Sequence, residues 1–553
     1  MDGSFMAIGL YLVLLIVLAP LVGRYMFYIF ERNTDAFEVR WLTRSGFDCQ
    51  EQGIREYLKA IVALTILGIL LLMIILMGQT YLPGNPLHYK GLSWDLAFNT
   101  AVSFVSNTNW QSYSGELQLS PLSQTVGLAV QNFISAAVGM AAAIAVFRGI
   151  ANQNTHKLGN FWVDLTRGVL FILLPIACIL ALVLVSQGVP QTLAASQDVT
   201  LLSGIKSLVH VGDVASQVAI KQLGSNGGGF YGTNSSYPLE NPTQLSNFLE
   251  CFSIILLPAS MIFTFGHYIR NYKHTRTLFI TMTAFLVVWL LTTVGFQIEK
   301  DPSLLGLGLV DTQHWFGTES RFGPALTALW GVVTTATSSG SVNGMLDSMS
   351  ILGGMMVLTN MLLGSLDFGG VGAGIYGLLV YILLTIFIAG LMSGRTPDYL
   401  GKRIGAYEIK WMIVAMLVMP LGVLLLSTIA WSWPGSHTAM FNHGAHGITE
   451  WLYAYTSAVG DNGSAFGGFA ADMPIHNILL AIGMLIGRFG IMIPMLLIAA
   501  NMAQKPKVTG VELPLSGPLF GGLLSSVIIL VGGLSFLPVL VLGPVAEFLM
   551  MHA

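Results

Sequence analysis

Apolar runs of bilayer-spanning length recur throughout this chain, and few folds can accommodate them. They lie near 6–23, 58–79, 123–147, 168–187, 249–267, 278–297, 349–392, 411–433, 475–500 and 515–545. One straight crossing takes about 20 such residues, so the seventh run is too long for a single helix. It is interrupted by GSLDFGGVGAG at 364–374. Basic residues decide how to count it. With ten spans, the loops after the odd-numbered spans carry Arg24, Arg32, Arg40, Arg44, Arg55, Lys59, Arg148, Lys157, Arg167, Arg270, Lys273, Arg276, Arg395, Lys402, Arg403, Lys410, Lys505 and Lys507. The other side keeps only Lys90, Lys206, Lys221, Lys300 and Arg321. The positive-inside rule then makes the first set cytoplasmic and both termini extracytoplasmic. Eleven spans would scatter basic loops over both sides after residue 374, so the seventh run is read as one broken helix.

The 553 residues are 54% hydrophobic and 9% charged, with a net charge of −3, which describes a polytopic membrane protein and excludes a basic nucleic-acid binder. Cys49, Cys178 and Cys251 are far apart and lack metal-ligand spacing. The two in or beside apolar runs, Cys178 and Cys251, read as buried thiols. The first run follows Asp2 with no basic residue before it and no small-x-small cleavage site, so it is expected to be a retained span.

Four outward connections share a layout: DLAFNTAVSFVSNTNWQSYSGE (95–116), DVASQVAIKQLGSNGGGFYGTN (213–234), PALTALWGVVTTATSSGSVNG (324–344) and EWLYAYTSAVGDNGSAFGGF (450–469). Each opens with a moderately apolar stretch of about 10–12 residues, too short to cross a membrane. Each then turns glycine- and amide-rich. Aligned on that turn they give the quartets Ser106-Asn107-Thr108-Asn109, Gly224-Ser225-Asn226-Gly227, Thr337-Ser338-Ser339-Gly340 and Gly460-Asp461-Asn462-Gly463. The last position is Gly or Asn, the residues most tolerant of left-handed backbone. A re-entrant half-helix would point its partially negative C-terminus at the turn. Four such ends and four strings of carbonyls around one axis would replace the hydration shell of a monovalent cation. Irregular backbone is tolerated at membrane depth when it lines such a cavity.

The fold expected is therefore an all-α polytopic membrane protein of ten transmembrane helices. Four pseudosymmetric helix–re-entrant loop–helix repeats surround a pore, with one extra helix at each end. The expected segments are 1–57 (first span and cytoplasmic linker), 58–150, 165–272, 276–395 (broken second helix) and 408–503 for the four repeats, and 515–547 for the last span.

Plainer readings apply to several features. A lone glycine cluster such as GSNGGGF usually marks a turn, and this one is no phosphate loop because no Gly-Lys-Ser/Thr follows. HGAH at 443–446 lacks a third metal ligand and reads as a solvated outer loop. The mixed charges of 31–59 read as a solvated cytoplasmic segment, and Trp110 and Tyr113 as packing. Two charges in apolar context stand apart: Arg488 in AIGMLIGRFGIMIPML, and Asp367 in the break of the seventh run. Intramembrane charges face cavities or partners. The alternative is that the two satisfy each other or a helix end.

GLSWDLAFNTAVSFVSNTNWQSYSGE, GSNGGGFYGTNSSYPLENPT, TTATSSGSVNG, NGSAFGGF, GRTPDYLGKRI and GRFGIMIP resemble the potassium-binding subunit family of the Kdp potassium-transporting ATPase, from about residue 58 to LGPVAEFL near the end. The resemblance implies a member of the potassium transporter superfamily that serves high-affinity K+ uptake in a bacterial plasma membrane. It implies three partners: a P-type ATPase subunit (KdpB), a single-span accessory subunit (KdpC) and a small lipid-like subunit (KdpF). It places the K+ filter on the sixteen quartet residues, and Gln111, Gly227, Gly340 and Gly463 at positions tied to affinity or selectivity. Gly228, Asp367, Gly369, Gly370 and Arg488 become further pore candidates. The fourth loop departs from the expected asparagine run at Gly460-Asp461. No Asp-Lys-Thr-Gly phosphorylation motif and no Walker lysine occurs, so the chain is expected to bind no nucleotide and to be non-catalytic alone. The rivals are a secondary transporter, whose repeats are commonly inverted pairs, and a membrane-embedded enzyme, for which no convergent nucleophile–base set is found.

Overall fold

The computed structural model describes residues 2–33, 36–200, 202–299, 315–364, 366–507 and 513–552. Among them, ten helices are long and apolar enough to cross a membrane. In chain order the elements are α1 (Asp2–Phe30), α2 (Ile54–Gly78), α3 (Trp94–Ser106), α4 (Ser123–Ala151) and α5 (Phe161–Ser186). Then come α6 (Val214–Leu223), α7 (Gln244–Ile269), α8 (Tyr272–Ile298), α9 (Gly323–Ala336) and α10 (Ile351–Leu362). The chain closes with α11 (Ala373–Met392), α12 (Ala406–Trp431), α13 (Gly444–Val459), α14 (Pro474–Gln504) and α15 (Pro518–Met551). The short helices α3, α6, α9 and α13 are the half-helices, one in each of four repeats. In the third repeat the second helix is broken, α10 stopping at Leu362 and α11 restarting at Ala373.

Small residues set the inner packing. Helix α4 carries a run of alanines and glycines, and its Gly149 lies so close to α14 that a Cβ there would sit 2.6 Å from Ala499 O. Such approach is how helices associate where lipid gives no hydrophobic drive. Helices α4 and α7 are buried around most of their circumference, whereas α1 and α15 expose most of theirs. That difference puts the two extra helices at the periphery. Helix α1 runs parallel to α7, with Tyr11 Oη donating to Cys251 O at 3.1 Å and Thr264 Oγ1 to Gly23 O at 3.0 Å. The chain therefore starts on the same face as the half-helix turns.

Several plainer expectations need correction. Cys178 is exposed on the outer surface of α5, while Cys251 is buried. The segment 31–59 is not simply solvated: a helix over Phe37–Arg44 buries Glu38, which pairs with Arg167 Nε at 3.1 Å. Arg167 also donates to Phe30 O and Arg32 O, tying off the end of α1. The helical fold carries two small additions, an antiparallel hairpin of Ser196–Thr200 and Lys206–His210 before α6 and a two-residue pairing of 398–399 with 402–403. The buried Lys402 Nζ of that second turn caps the end of α4, donating to Ile150 O at 2.7 Å and to Asn152 O.

HGAH is not a free loop either. It opens α13, and His446 stands between Asp347 (Nε2 to Oδ1, 2.9 Å) and Glu547 (Nδ1 to Oε1, 2.8 Å). This joins the stretch after the third turn, the start of α13 and the last helix. The two carboxylates push the imidazole up to about 10, because their hydrogen bonds favour the cation over burial's opposite pull. An unfolded histidine titrates near 6.5. The contribution to stability is therefore complete below about 6.5 and lost as pH rises through about 10. Thermal unfolding in detergent should show a wild-type Tm that falls between pH 7 and pH 10.5 by more than that of His446→Gln. Equal falls in the two proteins would contradict the clasp.

Candidate functional site

The site grows from the way four half-helices end. In each, the second quartet residue is left-handed: Asn107 (φ +77), Ser225 (φ +49), Ser338 (φ +49) and Asp461 (φ +53). In each, the N–H of the third residue reaches back five positions, from Thr108 to Ser103 O, Asn226 to Lys221 O, Ser339 to Thr334 O and Asn462 to Ser457 O, at 2.8 to 3.0 Å. These are Schellman-type closures, which satisfy orphan carbonyls at a helix end. The fourth residue is left-handed again: Asn109 (φ +55), Gly227 (φ +92), Gly340 (φ +79) and Gly463 (φ +94). Two left-handed residues separated by one ordinary residue take the strand out of both helix and sheet. Among the described residues no N–H or O–H donor reaches the carbonyls of Thr108, Asn226, Ser339 or Asn462.

The four turns close on each other in a ring. A Cβ on Gly227 would lie 1.6 Å from Ser339 O, one on Gly340 2.2 Å from Asn462 O, and one on Gly463 1.9 Å from Thr108 O. Each fourth-position glycine thus packs on the third-residue carbonyl of the next turn, from turn two to three, three to four and four to one. Between turns one and two the junction is made by side chains. Asn107 Nδ2 donates to Ser225 O at 3.1 Å, and Asn226 Nδ2 donates to Asn107 Oδ1 at 2.6 Å. Asn109, the β-carbon-bearing member of the fourth positions, instead donates to Asn132 Oδ1 at 2.6 Å, and Gly228 packs against its Cβ. At the mouth, Gln111 Oε1 accepts from Gly229 N at 2.9 Å, a second tie between turns one and two. Trp110 is buried behind the first turn, with its carbonyl accepting from Ser103 Oγ, and Tyr113 is buried beside it.

Beneath the ring lies a cavity of about 70 Å³, lined among others by Asn107, Ser338, Gly370, Asp461, Tyr376 and Arg488. The second quartet residues of three turns therefore face the same space as the guanidinium. Arg488 is buried and donates from Nη2 to Ser135 O at 2.9 Å, and no carboxylate forms an ion pair with it among the described residues. Asp461 spans the fourth and first turns, accepting from Thr108 Oγ1 at 2.9 Å.

Asp367 is not the partner of Arg488. It is buried in the break between α10 and α11, where Asn360, its amide oriented to satisfy its neighbours, donates to Oδ1 at 2.7 Å. The break tucks under the third half-helix, with Gly369 N donating to Ala336 O at 2.9 Å. Space continues sideways from here. The cavity shares Gly364, Gly377, Met419 and Ile491 with a smaller one of about 50 Å³. That one shares Leu362, Leu363, Gly532 and Phe536 with an apolar groove of about 410 Å³ between α8 and α15.

Sequence reasoning missed the buried groups behind the turns. Lys221, which counts toward the outer loops in the charge tally, is wholly buried in α6 with Glu240, and Asn234 sits beside it. The available signal was a lysine inside an apolar half-helix, three residues before GSNGGG.

Residues 9–549 match the family model described as the potassium-transporting ATPase A subunit. A potassium-transporting ATPase potassium-binding subunit of Pseudomonas aeruginosa is 50% identical over 545 residues, covering 97% of this chain and 96% of that one. The protein of the same description in Rhodospirillum centenum is 48% identical over 562 residues, covering 100% and 98%. Among solved structures, the potassium transporter TrkH of Vibrio parahaemolyticus aligns with a TM-score of 0.52 at 12% identity, covering 89% of this chain and 97% of that chain. The likeness is one of fold.

Crowding in the ring can be separated from backbone strain by comparing two glycines of equal φ. Gly340 and Gly435 are both at +79°, but a Cβ on Gly435 meets nothing within 4 Å. Gly435→Ala should cost only the left-handed penalty of about 1–2 kcal/mol. Gly340→Ala should cost a further 1–3 kcal/mol or so from overpacking. Thermal unfolding of the two variants measures the difference, and equal losses would deny the close approach of turns three and four.

Proposed function

The chain belongs to the potassium-transporting ATPase A subunit family, and we propose that it is the potassium-binding and translocating subunit of an ATP-driven, high-affinity K+ uptake complex. The observation that carries this reading is the ring, in which four turns present, from one repeated backbone geometry, carbonyls that no donor among the described residues reaches. Dehydrated K+ binds there, coordinated by carbonyls of the sixteen quartet residues, with the half-helix C-termini adding partial negative charge. The ring lies toward the outer half of a bacterial plasma membrane, with both termini extracytoplasmic, as the basic loops on the opposite face support. The energy comes from a P-type ATPase partner, and a single-span subunit and a small lipid-like subunit complete the complex.

The ion leaves the ring sideways. Arg488 stands in the cavity below, and a guanidinium stays charged when buried. A unit charge about 4 Å from a cation opposes it by about 4 kcal/mol at an effective dielectric of 20. Straight descent is blocked, so the complex does not leak as an open channel would. The break between α10 and α11 and the run of cavities toward the groove at α8 and α15 supply the lateral route to the ATPase partner.

Gly227→Asp tests the filter. It puts a side chain where a Cβ already meets Ser339 O, and a charge beside the ion. Uptake by the reconstituted complex should show an apparent KM for K+ raised tenfold or more, about 1.4 kcal/mol of binding at the least, and weaker exclusion of rubidium and ammonium. Unchanged affinity and discrimination would refute the assignment.

Arg488→Gln and Arg488→Lys test the block. In proteoliposomes the Gln variant should show altered K+ affinity or an ATP-independent leak, with Lys closer to wild type. Wild-type affinity, coupling and leak in both, with normal assembly, would show that Arg488 is only a structural donor to Ser135 O.

A further inference from the structure

Of the four fourth-position carbonyls, only that of Gly227 is held by a side chain among the described residues: Asn234 Nδ2 donates to it at 2.7 Å. Asn234 is itself locked. Its backbone is left-handed (φ +55), and its Oδ1 accepts from Lys221 Nζ at 2.8 Å, from Ser235 N at 2.9 Å and from Ser341 Oγ of the third turn at 3.3 Å. Lys221 is wholly buried and pairs with the equally buried Glu240. The main-chain carbonyl of Lys221 accepts from Asn226 N at 2.8 Å and Gly227 N at 3.2 Å. Both the amide and the carbonyl of Gly227 are therefore tied to one residue, directly on one side and through Asn234 on the other.

The charge gives this network direction. An asparagine amide is nearly symmetric in shape and can turn over. Turning this one would set its NH2 against the Lys221 ammonium and its oxygen against the Gly227 carbonyl. The ammonium forbids that, so the amide always offers a donor to Gly227. A buried ion pair is seldom more stabilising than an apolar pair of the same volume, which makes a purely structural purpose a poor account of these two charges.

We propose that Asn234, Lys221 and Glu240 are positioning residues that hold the Gly227 carbonyl in place and so set ion discrimination in the second quarter of the ring. The proposal rests on the filter reading above. A carbonyl has two lone pairs, so accepting from Asn234 leaves one for the ion while limiting how far the oxygen can move to suit a larger one.

The test uses the complex of this chain with its ATPase partner in proteoliposomes, measuring apparent KM for K+, maximal rate and competition by rubidium. Asn234→Gly keeps the left-handed backbone and removes the donor. Asn234→Asp keeps the backbone and the Lys221 contact but sets an acceptor against the carbonyl. Both should raise the KM, Gly by about three- to tenfold, the size of one neutral hydrogen bond, and Asp by more. Rubidium should compete better in both, and the effect on KM should exceed that on maximal rate. Lys221→Met/Glu240→Leu removes both charges of the pair together, leaves the buried Glu250 on its hydrogen bonds from Gln222 and Ser235, and should move KM and rubidium competition the same way. An assembled Asn234 variant with wild-type KM and rubidium competition overturns the proposal. So does a loss of maximal rate alone, and so does failure of all three variants to assemble, since each assigns the network to scaffolding. If Gly227→Asp changes selectivity while the Asn234 variants do not, only this inference falls. If Gly227→Asp changes nothing, the filter reading falls and takes this with it.

Discussion

Backbone carbonyls that no donor among the described residues reaches, held at membrane depth, are the constraint on which this structure turns. Each such group costs several kcal/mol in hydrocarbon, so irregular backbone survives only where protein encloses it or a cavity borders it. The four turns meet this condition together. Three of the four junctions are contacts in which a glycine lies against the next turn's carbonyl, and the fourth is made by the side chains of Asn107 and Asn226. The half-helices that carry the turns must approach the axis at matching depth, so each repeat flanks its half-helix with two spanning helices. The small residues of α4 and α14 follow from the same demand, since helices with bulky faces would hold the turns apart.

Enclosure also explains how much polar material is buried. Asn107, Asn132, Ser135 and Asn226 form one connected set behind the first two turns, and Lys221, Asn234, Glu240 and Ser341 form another between the second and third. The two sets differ in kind. The first is made of neutral groups that stitch turn to turn, while the second contains a full charge that dictates the direction of an amide. Beneath them, Arg488 sets a positive charge on the border of the cavity that the first, third and fourth turns also line.

The architecture was legible in the sequence because its requirements are strict. Spanning length is visible as apolar runs, and every one of the ten holds helix, the seventh in two pieces, Ile351–Leu362 and Ala373–Met392, on either side of its break. The quartets aligned without gaps because the fourth position tolerates little besides Gly and Asn, and the left-handed pattern recurs at the same two positions in every turn. What stayed hidden was pairing across the sequence. Nothing local says that Glu38 meets Arg167, that His446 meets Asp347 and Glu547, or that Lys221 meets Glu240. A charge reads the same whether water or a distant partner satisfies it. Arg488 and Asp367 were both recognisable as buried charges, yet their relation was not: one donates to a backbone carbonyl and the other accepts from an asparagine amide. The hairpin of 196–200 with 206–210 escaped for another reason, since none of its residues is buried and its sequence carries no apolar alternation.

Asn109 stands where the other three turns carry glycine, and it makes its own bond to Asn132. A ring built from four copies of one short chain could not hold such an exception, because any change would appear four times. Here the four quarters lie on a single gene product, and each is free to drift under its own selection. Divergence of this kind turns a symmetric ring into one with distinguishable walls. A particle at its centre then has a preferred side, which a symmetric tetramer cannot offer, and an exit on one flank becomes heritable.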